Sequence, residues 1–238
     1  MLNTILFDLD GTLAPFVQEE FIRVYFQALT CRLTPMGYDG RQLVDALWKG
    51  VAAMVSNNGS VTNRQIFWES FTQSLGVQAL ALESTLDDFY RQEFDTVRTV
   101  LPKPVDRGPL IQCLRKKGYT LVLATNPIFP SSAVTTRLGW VGLSAADFDY
   151  VTTYENCRHS KPNPAYYRDI LEHMGKRGDE CLMVGNNPTD DMAASRAGMA
   201  VYLVTDYVEN QENLPVEEYP NGTFQKLENS LVQLPEIA

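Results

Sequence analysis

Two aspartates separated by one residue follow an apolar run near the start of the chain. The stretch reads ILFDLDGTL over residues 5–13, and it places Asp8 and Asp10 at the end of the run, with Gly11 behind them. Removing an unpaired charge from water costs a large free energy. Carboxylates at the tip of a buried strand therefore indicate chemistry that needs them there, together with a positive partner that offsets their charge.

Polar side chains also stand near three later apolar runs. Thr125 and Asn126 follow YTLVLA, Lys161 lies in the loop HSKPNP, and the run CLMVG is followed by Asn186, Asn187, Asp190 and Asp191. In parallel sheets, reactive groups collect at the carboxyl ends of the strands. We therefore expect all of these side chains to meet at one edge of a sheet.

Carboxylates gathered in this way need a cation. Two unit charges about 4 Å apart interact by roughly 4 kcal/mol at an effective dielectric constant of about 20, so several clustered carboxylates repel one another strongly. Oxygen ligands with room for water and phosphate oxygens suit Mg²⁺. Zinc is less suited, because the chain has only two histidines, His159 and His173, to bind it. The cluster therefore predicts a Mg²⁺ site.

The elements that position these residues alternate between strand and helix. The first strand, over residues 3–9, is apolar on both faces, as a central parallel strand is. After the joint LPKP, we predict helices at LIQCLRKKG, SSAVTTRLG, NPAYYRDILEHMG and DDMAASRAG, and strands at YTLVLAT, DYVTTYE, CLMVG and AVYLVT. Residues 206–222 read as a long solvated loop before a short last helix. The pattern predicts an α/β fold with a doubly wound parallel sheet.

A helical region separates the first strand from the rest of the sheet. Residues 16–97 show helical periodicity, with a capping box from Thr62 to Gln65 and a fourth helix over residues 80–94. We therefore predict an α/β core domain formed by residues 1–15 and 101–238, with an inserted all-helical cap domain at residues 16–100.

Aromatic residues of the helical region fall on its apolar stripes. Because Tyr25, Trp48, Phe67 and Trp68 have helical spacing, we expect most of them to pack in a core rather than against a substrate. The hinge at residues 15–18 is the part of the cap expected within reach of a substrate.

Composition excludes several classes of function. The net charge of −9 argues against nucleic acid as a partner. The four cysteines form neither a CxxC pair nor a dense disulfide framework, so we expect free thiols in a reducing compartment. There is no apolar run near twenty residues and no room for a signal peptide before the first strand, which predicts a cytoplasmic protein without a membrane partner.

Four short motifs occur in a familiar order: FDLDGTL, LATN, the lysine–proline pair of SKPNP, and VGNNPTDDM. Together they resemble the haloacid dehalogenase-like hydrolase superfamily, and the helical insertion after the first motif is similar to the cap of its subclass I. The resemblance covers the whole predicted core. The first motif is highly specific, whereas the other three are convincing only as a set.

The resemblance implies a role for each motif residue. Asp8 is implied as the nucleophile that forms an aspartyl phosphate, and Asp10 as the acid that protonates the leaving oxygen and later activates water. Thr125 and the adjacent Asn126 are implied to bind the transferring phosphoryl group, while Lys161 neutralises its charge. Mg²⁺ is implied to be held by Asp8, by the Asp10 carbonyl and by an acid of the fourth motif.

The fourth motif departs from the family pattern. Asn186 stands where the family commonly has an aspartate, which removes one negative charge near the metal. The spacing from Gly198 favours Asp190 as the metal ligand, whereas the spacing from Gly185 favours Asp191, with a slight preference for Asp191. The other acid is suited to the start of its helix.

These residues predict a Mg²⁺-dependent phosphatase of a small phosphorylated metabolite. An acid at position 10 favours phosphate esters, because cleavage of a carbon–halogen bond needs no proton for a leaving alkoxide. A phosphomutase acting on a sugar phosphate would use the same motifs. A phosphate-binding protein with weakened catalysis is the third alternative, and Asn186 is the feature that favours it.

Overall fold

The computed structural model describes residues 1–237, in which a parallel sheet of six strands forms the centre. The strands are β1 (Thr4–Phe7), β2 (Thr120–Leu123), β3 (Tyr150–Val151), β4 (Cys181–Gly185), β5 (Ala200–Val204) and β6 (Asn221–Gly222). Their spatial order is β3-β2-β1-β4-β5-β6, and every neighbouring pair is parallel. The predicted α/β fold with a doubly wound parallel sheet is confirmed.

Strand β1 is the central element, as its sequence predicted. Ile5, Leu6 and Phe7 are completely buried. Because side chains alternate across a strand, Ile5 and Phe7 pack into one apolar cluster and Leu6 into the cluster on the opposite face. Phe7 is in register with Leu123 of β2 and Val184 of β4. The residues that follow these three strands therefore meet at one edge of the sheet.

Eight α-helices accompany the sheet in the described residues 1–237. They are α1 (Gln18–Leu33), α2 (Gly40–Val55), α3 (Asn63–Leu75), α4 (Leu82–Gln92), α5 (Gly108–Lys116), α6 (Ser131–Trp140), α7 (Pro164–Met174) and α8 (Phe224–Leu231). Helices α1–α4 all lie between β1 and β2 in the sequence. That they form a separate cap with boundaries at residues 16 and 100 remains a prediction.

Two helices differ from their predicted extents. The helix expected over residues 80–94 is α helical only from Leu82 to Gln92 and is flanked by 3₁₀ turns. The helix expected in DDMAASRAG is a 3₁₀ helix, Met192–Ala197. The residue before this helix, Asp191, is held by a hydrogen bond to its side chain, and Gly198, with a φ of 83°, ends the helix. Six residues remain between them, and such short segments readily adopt the tighter 3₁₀ form.

Two further details follow from local sequence. The capping box of Thr62 and Gln65 is present at the start of α3, as predicted. All four cysteines, Cys31, Cys113, Cys157 and Cys181, are free. Within residues 1–237, no helix combines the length and the apolar character that crossing a bilayer requires.

Candidate active site

The four motifs meet at the carboxyl edge of the sheet, around one cavity. Its floor is lined by Asp8, Asp10, Thr125, Asn126, Lys161, Asn186, Asn187, Asp190 and Asp191. The structure thus brings together every site residue that the sequence singled out. They converge because β1, β2 and β4 end side by side, and the loop that carries Lys161 reaches the same edge.

Lys161 lies between two carboxylates. Its Nζ donates to Asp8 Oδ1 at 2.8 Å and to Asp191 Oδ1 at 2.6 Å, and all three residues are buried. The other oxygen of Asp191 accepts a hydrogen bond from the Asn187 backbone amide at 2.9 Å. Asp191 therefore holds Lys161 and the loop after β4 in place.

Burial and charge act in opposite directions on this pair. Burial raises the pKa of Asp8 to about 8; Asp191 adds to the rise, while Lys161 opposes it. Burial alone would lower the pKa of Lys161, but the negative charges of Asp191 and Asp8 raise it well above its usual range. Lys161 therefore keeps its proton and remains the cation beside Asp8.

Asp190 occupies a different place from its neighbour. Its Oδ2 accepts a hydrogen bond from Asn126 Nδ2 at 3.3 Å, so it joins the second motif to the fourth. Burial, with Asp191 as the next contribution, raises the pKa of Asp190 to about 6. Within the described residues 1–237, Oδ2 is the Asp190 side-chain oxygen that a hydrogen bond engages, whereas both oxygens of Asp191 are engaged.

The backbone of the second motif is held rigidly. The carbonyl oxygen of Thr125 accepts hydrogen bonds from Tyr166 Oη at 2.9 Å and from Thr152 Oγ1 at 2.8 Å. These buried donors fix the loop after β2 against α7 and β3. Thr125 is thereby held in place at the floor of the cavity.

Arg137 is a site residue that sequence reasoning missed. Its Nη1 pairs with Asp10 Oδ2, and the guanidinium lies over the Phe129 ring, 4.4 Å from its centroid. Arg137 is completely buried although it belongs to helix α6. Burial raises the pKa of Asp10, and Arg137 opposes that rise. The sequence gives no signal for this pair, because an arginine on a helix usually lies in solvent.

Glu209 is a second missed residue. It lies in the segment predicted to be a solvated loop, yet it is half-buried and lines the cavity. The Glu209 backbone amide donates to the Asn186 carbonyl at 3.1 Å, and Asn186 Nδ2 donates to the Tyr207 carbonyl at 2.6 Å. Burial raises the pKa of Glu209, and the charges of Asp191 and Asp10 add to the rise. Asn186 thus anchors a loop that brings another acid to the site.

The donor set of the floor suits a magnesium ion. Five carboxyl groups, from Asp8, Asp10, Asp190, Asp191 and Glu209, line this part of the cavity. Two cations, Lys161 and Arg137, pair with them. Asp10 Oδ1 and Asn126 Oδ1 are buried without a hydrogen-bond partner in the described residues. The excess negative charge and the unengaged oxygens therefore favour a cation.

The described residues contain no ready-made cage of three or more acidic, histidine or cysteine ligands. Mg²⁺ usually keeps several water ligands and is bound by one or two carboxylates plus phosphate oxygens, so it does not require such a cage.

Comparison with known proteins identifies the family. The model of the haloacid dehalogenase-like hydrolases matches residues 2–198. The chain belongs to this family. As a family member it is a hydrolase, and the resemblance inferred from its four motifs is confirmed.

Curated relatives of this haloacid dehalogenase-like hydrolase include several phosphatases. It is 29% identical over 205 residues to a phosphoglycolate phosphatase of Aliivibrio fischeri, with 86% of this chain and 84% of the relative covered. It is 26% identical over 238 residues to a glyceraldehyde 3-phosphate phosphatase of Methanothermobacter thermautotrophicus, with both chains covered completely.

Solved structures of the family share the fold. A HAD phosphatase from Thermococcus onnurineus superposes with a TM-score of 0.59 at 20% identity, covering 99% of this chain and 100% of the other. A 2-haloacid dehalogenase from Pseudomonas syringae pv. Tomato has a TM-score of 0.60 at 19% identity, covering 98% and 99%. At these identities the likeness shows the fold alone.

Proposed function

We propose that this hydrolase is a Mg²⁺-dependent phosphatase that cleaves a small-molecule phosphomonoester through an aspartyl phosphate. The observation that carries the proposal is the placement of Asp8 and Asp10 in one cavity, with the Lys161 ammonium 2.8 Å from the Asp8 carboxylate. The names of the curated relatives, which are phosphatases of small metabolites, support the same class of reaction.

In the first half of the proposed reaction, a carboxylate oxygen of Asp8 attacks phosphorus. The bond between phosphorus and the alcohol oxygen breaks, and the leaving oxygen takes a proton from the Asp10 carboxyl group. Burial raises the pKa of Asp10 against the opposing charge of Arg137, in the direction that a proton donor needs. Burial also raises the pKa of Asp8, and the positive charge of a bound Mg²⁺ would favour the carboxylate form that attacks. Thr125 donates a hydrogen bond to the phosphoryl group, and Lys161 offsets the charge that gathers there.

In the second half, Asp10 removes a proton from a water molecule. The resulting hydroxide attacks phosphorus, the bond to the Asp8 oxygen breaks, and inorganic phosphate leaves. Asp8 and Asp10 then have their starting protonation states again. Arg137 holds one oxygen of Asp10, so we assign both proton transfers to the other oxygen, which is buried and has no hydrogen-bond partner in the described residues.

For the metal, we propose Asp8, the Asp10 carbonyl and Asp190 as the holding groups, with the charge of Glu209 on the cavity lining adding to the attraction for a cation. Asp191 is better suited to hold Lys161, because both of its oxygens already accept hydrogen bonds. This reverses the slight preference for Asp191 that sequence spacing gave. When bound, Mg²⁺ supplies positive charge that screens the Asp8 carboxylate from the anionic ester.

The test is turnover of p-nitrophenyl phosphate and a panel of phosphorylated metabolites, with Mg²⁺ and with a chelator. We expect activity that the chelator abolishes and that Asp8→Asn lowers by at least about a thousandfold. The control is Asp179→Asn, an exposed acid outside the cavity, which should retain full activity. No hydrolysis with any divalent metal overturns the proposal, and transfer of phosphate to a sugar hydroxyl instead of water identifies a mutase.

A further inference from the structure

The cavity that includes the catalytic floor is much larger than a phosphate group requires. Its volume is about 890 Å³. A water molecule occupies about 30 Å³ in the liquid, so the cavity has the volume of about thirty waters. This is near the upper end of the range for small-molecule pockets, about 300–1,000 Å³. A two- or three-carbon phosphate would leave most of the space filled with water.

Large hydrophobic side chains make up much of the cavity wall, beside acidic side chains that include Glu83, Asp87 and Glu155. Helices α1–α3 and the loop after β2 contribute large hydrophobic side chains, among them Ile22, Phe26, Trp48, Val51, Phe67 and Phe129. The hydroxyl groups of Tyr25 and Tyr90, which also line the wall, bond to each other at 2.6 Å. They therefore have little need of a polar group from a substrate.

The wall offers no free cation for a second anionic group. Outside the floor, the basic residues that line the cavity within the described chain are Arg64 and Arg91. Arg64 pairs with Glu83, and Arg91 pairs with Asp87 at 2.9 Å. A substrate carboxylate or second phosphate would meet acids and apolar groups there, which disfavours both.

We propose that the natural substrate is a phosphomonoester whose alcohol part is neutral and apolar, aliphatic or aromatic, with about six or more carbons. The proposal rests on the phosphatase function proposed above. The reaction is the same hydrolysis: the alcohol leaves with the proton from Asp10, and water supplies the oxygen of the released phosphate. The apolar group is removed from water by the helical wall, and that burial provides the selectivity.

The first test is a series of n-alkyl phosphates assayed with Mg²⁺ for phosphate release. From butyl to octyl phosphate, kcat/KM should rise about fourfold per methylene, as expected for burial of each CH₂. The kcat/KM values for phosphoglycolate and pyrophosphate should be at least tenfold lower than the value for hexyl phosphate. Calorimetric binding of the same series to Asp8→Asn gives a second readout that needs no turnover, and affinity should rise along the series.

The outcomes distinguish a failure of the proposed substrate class from a failure of the proposed phosphatase function. Turnover that depends on Asp8 but is flat along the alkyl series, or highest for phosphoglycolate, overturns the substrate class and leaves the phosphatase function standing. No turnover of any ester overturns the phosphatase function. If affinity for Asp8→Asn is also flat along the series, the apolar wall does not bind the chain and the inference fails independently.

A pair of variants tests the wall directly. Trp48 lines the cavity and is 46% exposed, so Trp48→Ala should fold. We expect it to lower kcat/KM for octyl phosphate about tenfold and for butyl phosphate less than twofold. Val77→Ala removes an apolar side chain that is 74% exposed and outside the cavity, and it should change neither value. Equal losses for both esters, or no loss for octyl phosphate, overturn the inference.

Discussion

The two aspartates of the first motif differ in the cations that offset their charge. Asp8 shares Lys161 with Asp191, whereas Asp10 pairs with Arg137. Arg137 is fully buried, and its Nη2 has no hydrogen-bond partner within residues 1–237. Its pairing therefore fixes one oxygen of Asp10 and orients the carboxyl group. In the proposed reaction, Arg137 is thus a positioning residue for the acid.

Breaking this pair should destabilise the protein in a pH-dependent way. Arg137→Met leaves Asp10 without its cation, so we expect the free energy of unfolding to fall by about 3–5 kcal/mol at pH 8. Burial already raises the pKa of Asp10, and the variant raises it further. The pKa of Asp10 in the folded protein then lies above its value of about 3.9 in the unfolded chain, so the free energy of unfolding falls as the pH rises above 3.9. The loss caused by the variant should therefore be smaller at pH 5 than at pH 8.

Urea denaturation at the two pH values measures this effect. The control is Asp10→Asn combined with Arg137→Met, which removes both charges and should recover most of the lost stability at pH 8. A loss of equal size at both pH values would show that Arg137 acts through packing on Phe129 rather than through Asp10.

The loops that carry the site residues differ greatly in length. Asp8 follows β1 directly, while Glu209 lies in the long segment between β5 and β6. Asn186 connects the two, since its side chain accepts a hydrogen bond from Thr12 at 3.2 Å and donates one to the Tyr207 carbonyl. An aspartate at position 186 could not make the second bond, because its oxygen would face a carbonyl oxygen. The amide of Asn186 therefore holds the loop that brings Glu209 to the site.

Removing the acid on this loop should weaken metal binding. Glu209→Gln keeps the size of the side chain and removes its charge, so we expect the Kd for Mg²⁺ to rise about five- to tenfold, which corresponds to roughly 1–1.4 kcal/mol. Calorimetric titration with Mg²⁺ measures this without a substrate. Glu212→Gln, an exposed acid on the same loop, is the matched control and should leave the Kd unchanged. An unchanged Kd in Glu209→Gln would exclude this loop from the metal site.

The elements that the sequence predicted well are those with a local signal. The continuous apolar run of β1 and the contiguous motifs around Asp8 and Lys161 are read directly from neighbouring residues. Strand β6 has only two residues, which is too short to show periodicity. The contacts of Arg137 and Glu209 join residues distant in sequence, so they exist only once the chain has folded.

The aromatic residues of α1–α3 also show what cannot be predicted from sequence periodicity. Tyr25, Phe67 and Trp68 are buried, in line with their helical spacing, whereas Trp48 is exposed. All four nevertheless line the cavity. Periodicity distinguishes a helix's apolar face from its polar face, but it does not distinguish a face that packs on protein from one that packs on a ligand.

At the scale of the whole molecule, one apolar cluster joins the helical region to the sheet. It includes β1 residues such as Phe7 together with buried residues of α1–α4, α5, α6 and α8. Aromatic rings form the junction: Trp140 of α6 lies 5.4 Å from Phe94 and 6.5 Å from Phe21, measured between ring centroids. The predicted cap and core therefore share a hydrophobic core, although their sequences are separate.

A shared core predicts that both regions unfold together. Trp48 and Trp68 report on the helical region and Trp140 on the junction, so tryptophan fluorescence and far-ultraviolet circular dichroism should give coincident urea transitions. Phe94→Ala opens a cavity at the fully buried junction and should lower the free energy of unfolding by about 3–5 kcal/mol, with the two transitions still coincident. Val77→Ala, at an exposed site, should leave the midpoint unchanged. Two separate transitions, of which Phe94→Ala shifts only one, would show that the helical region and the sheet are independent folding units.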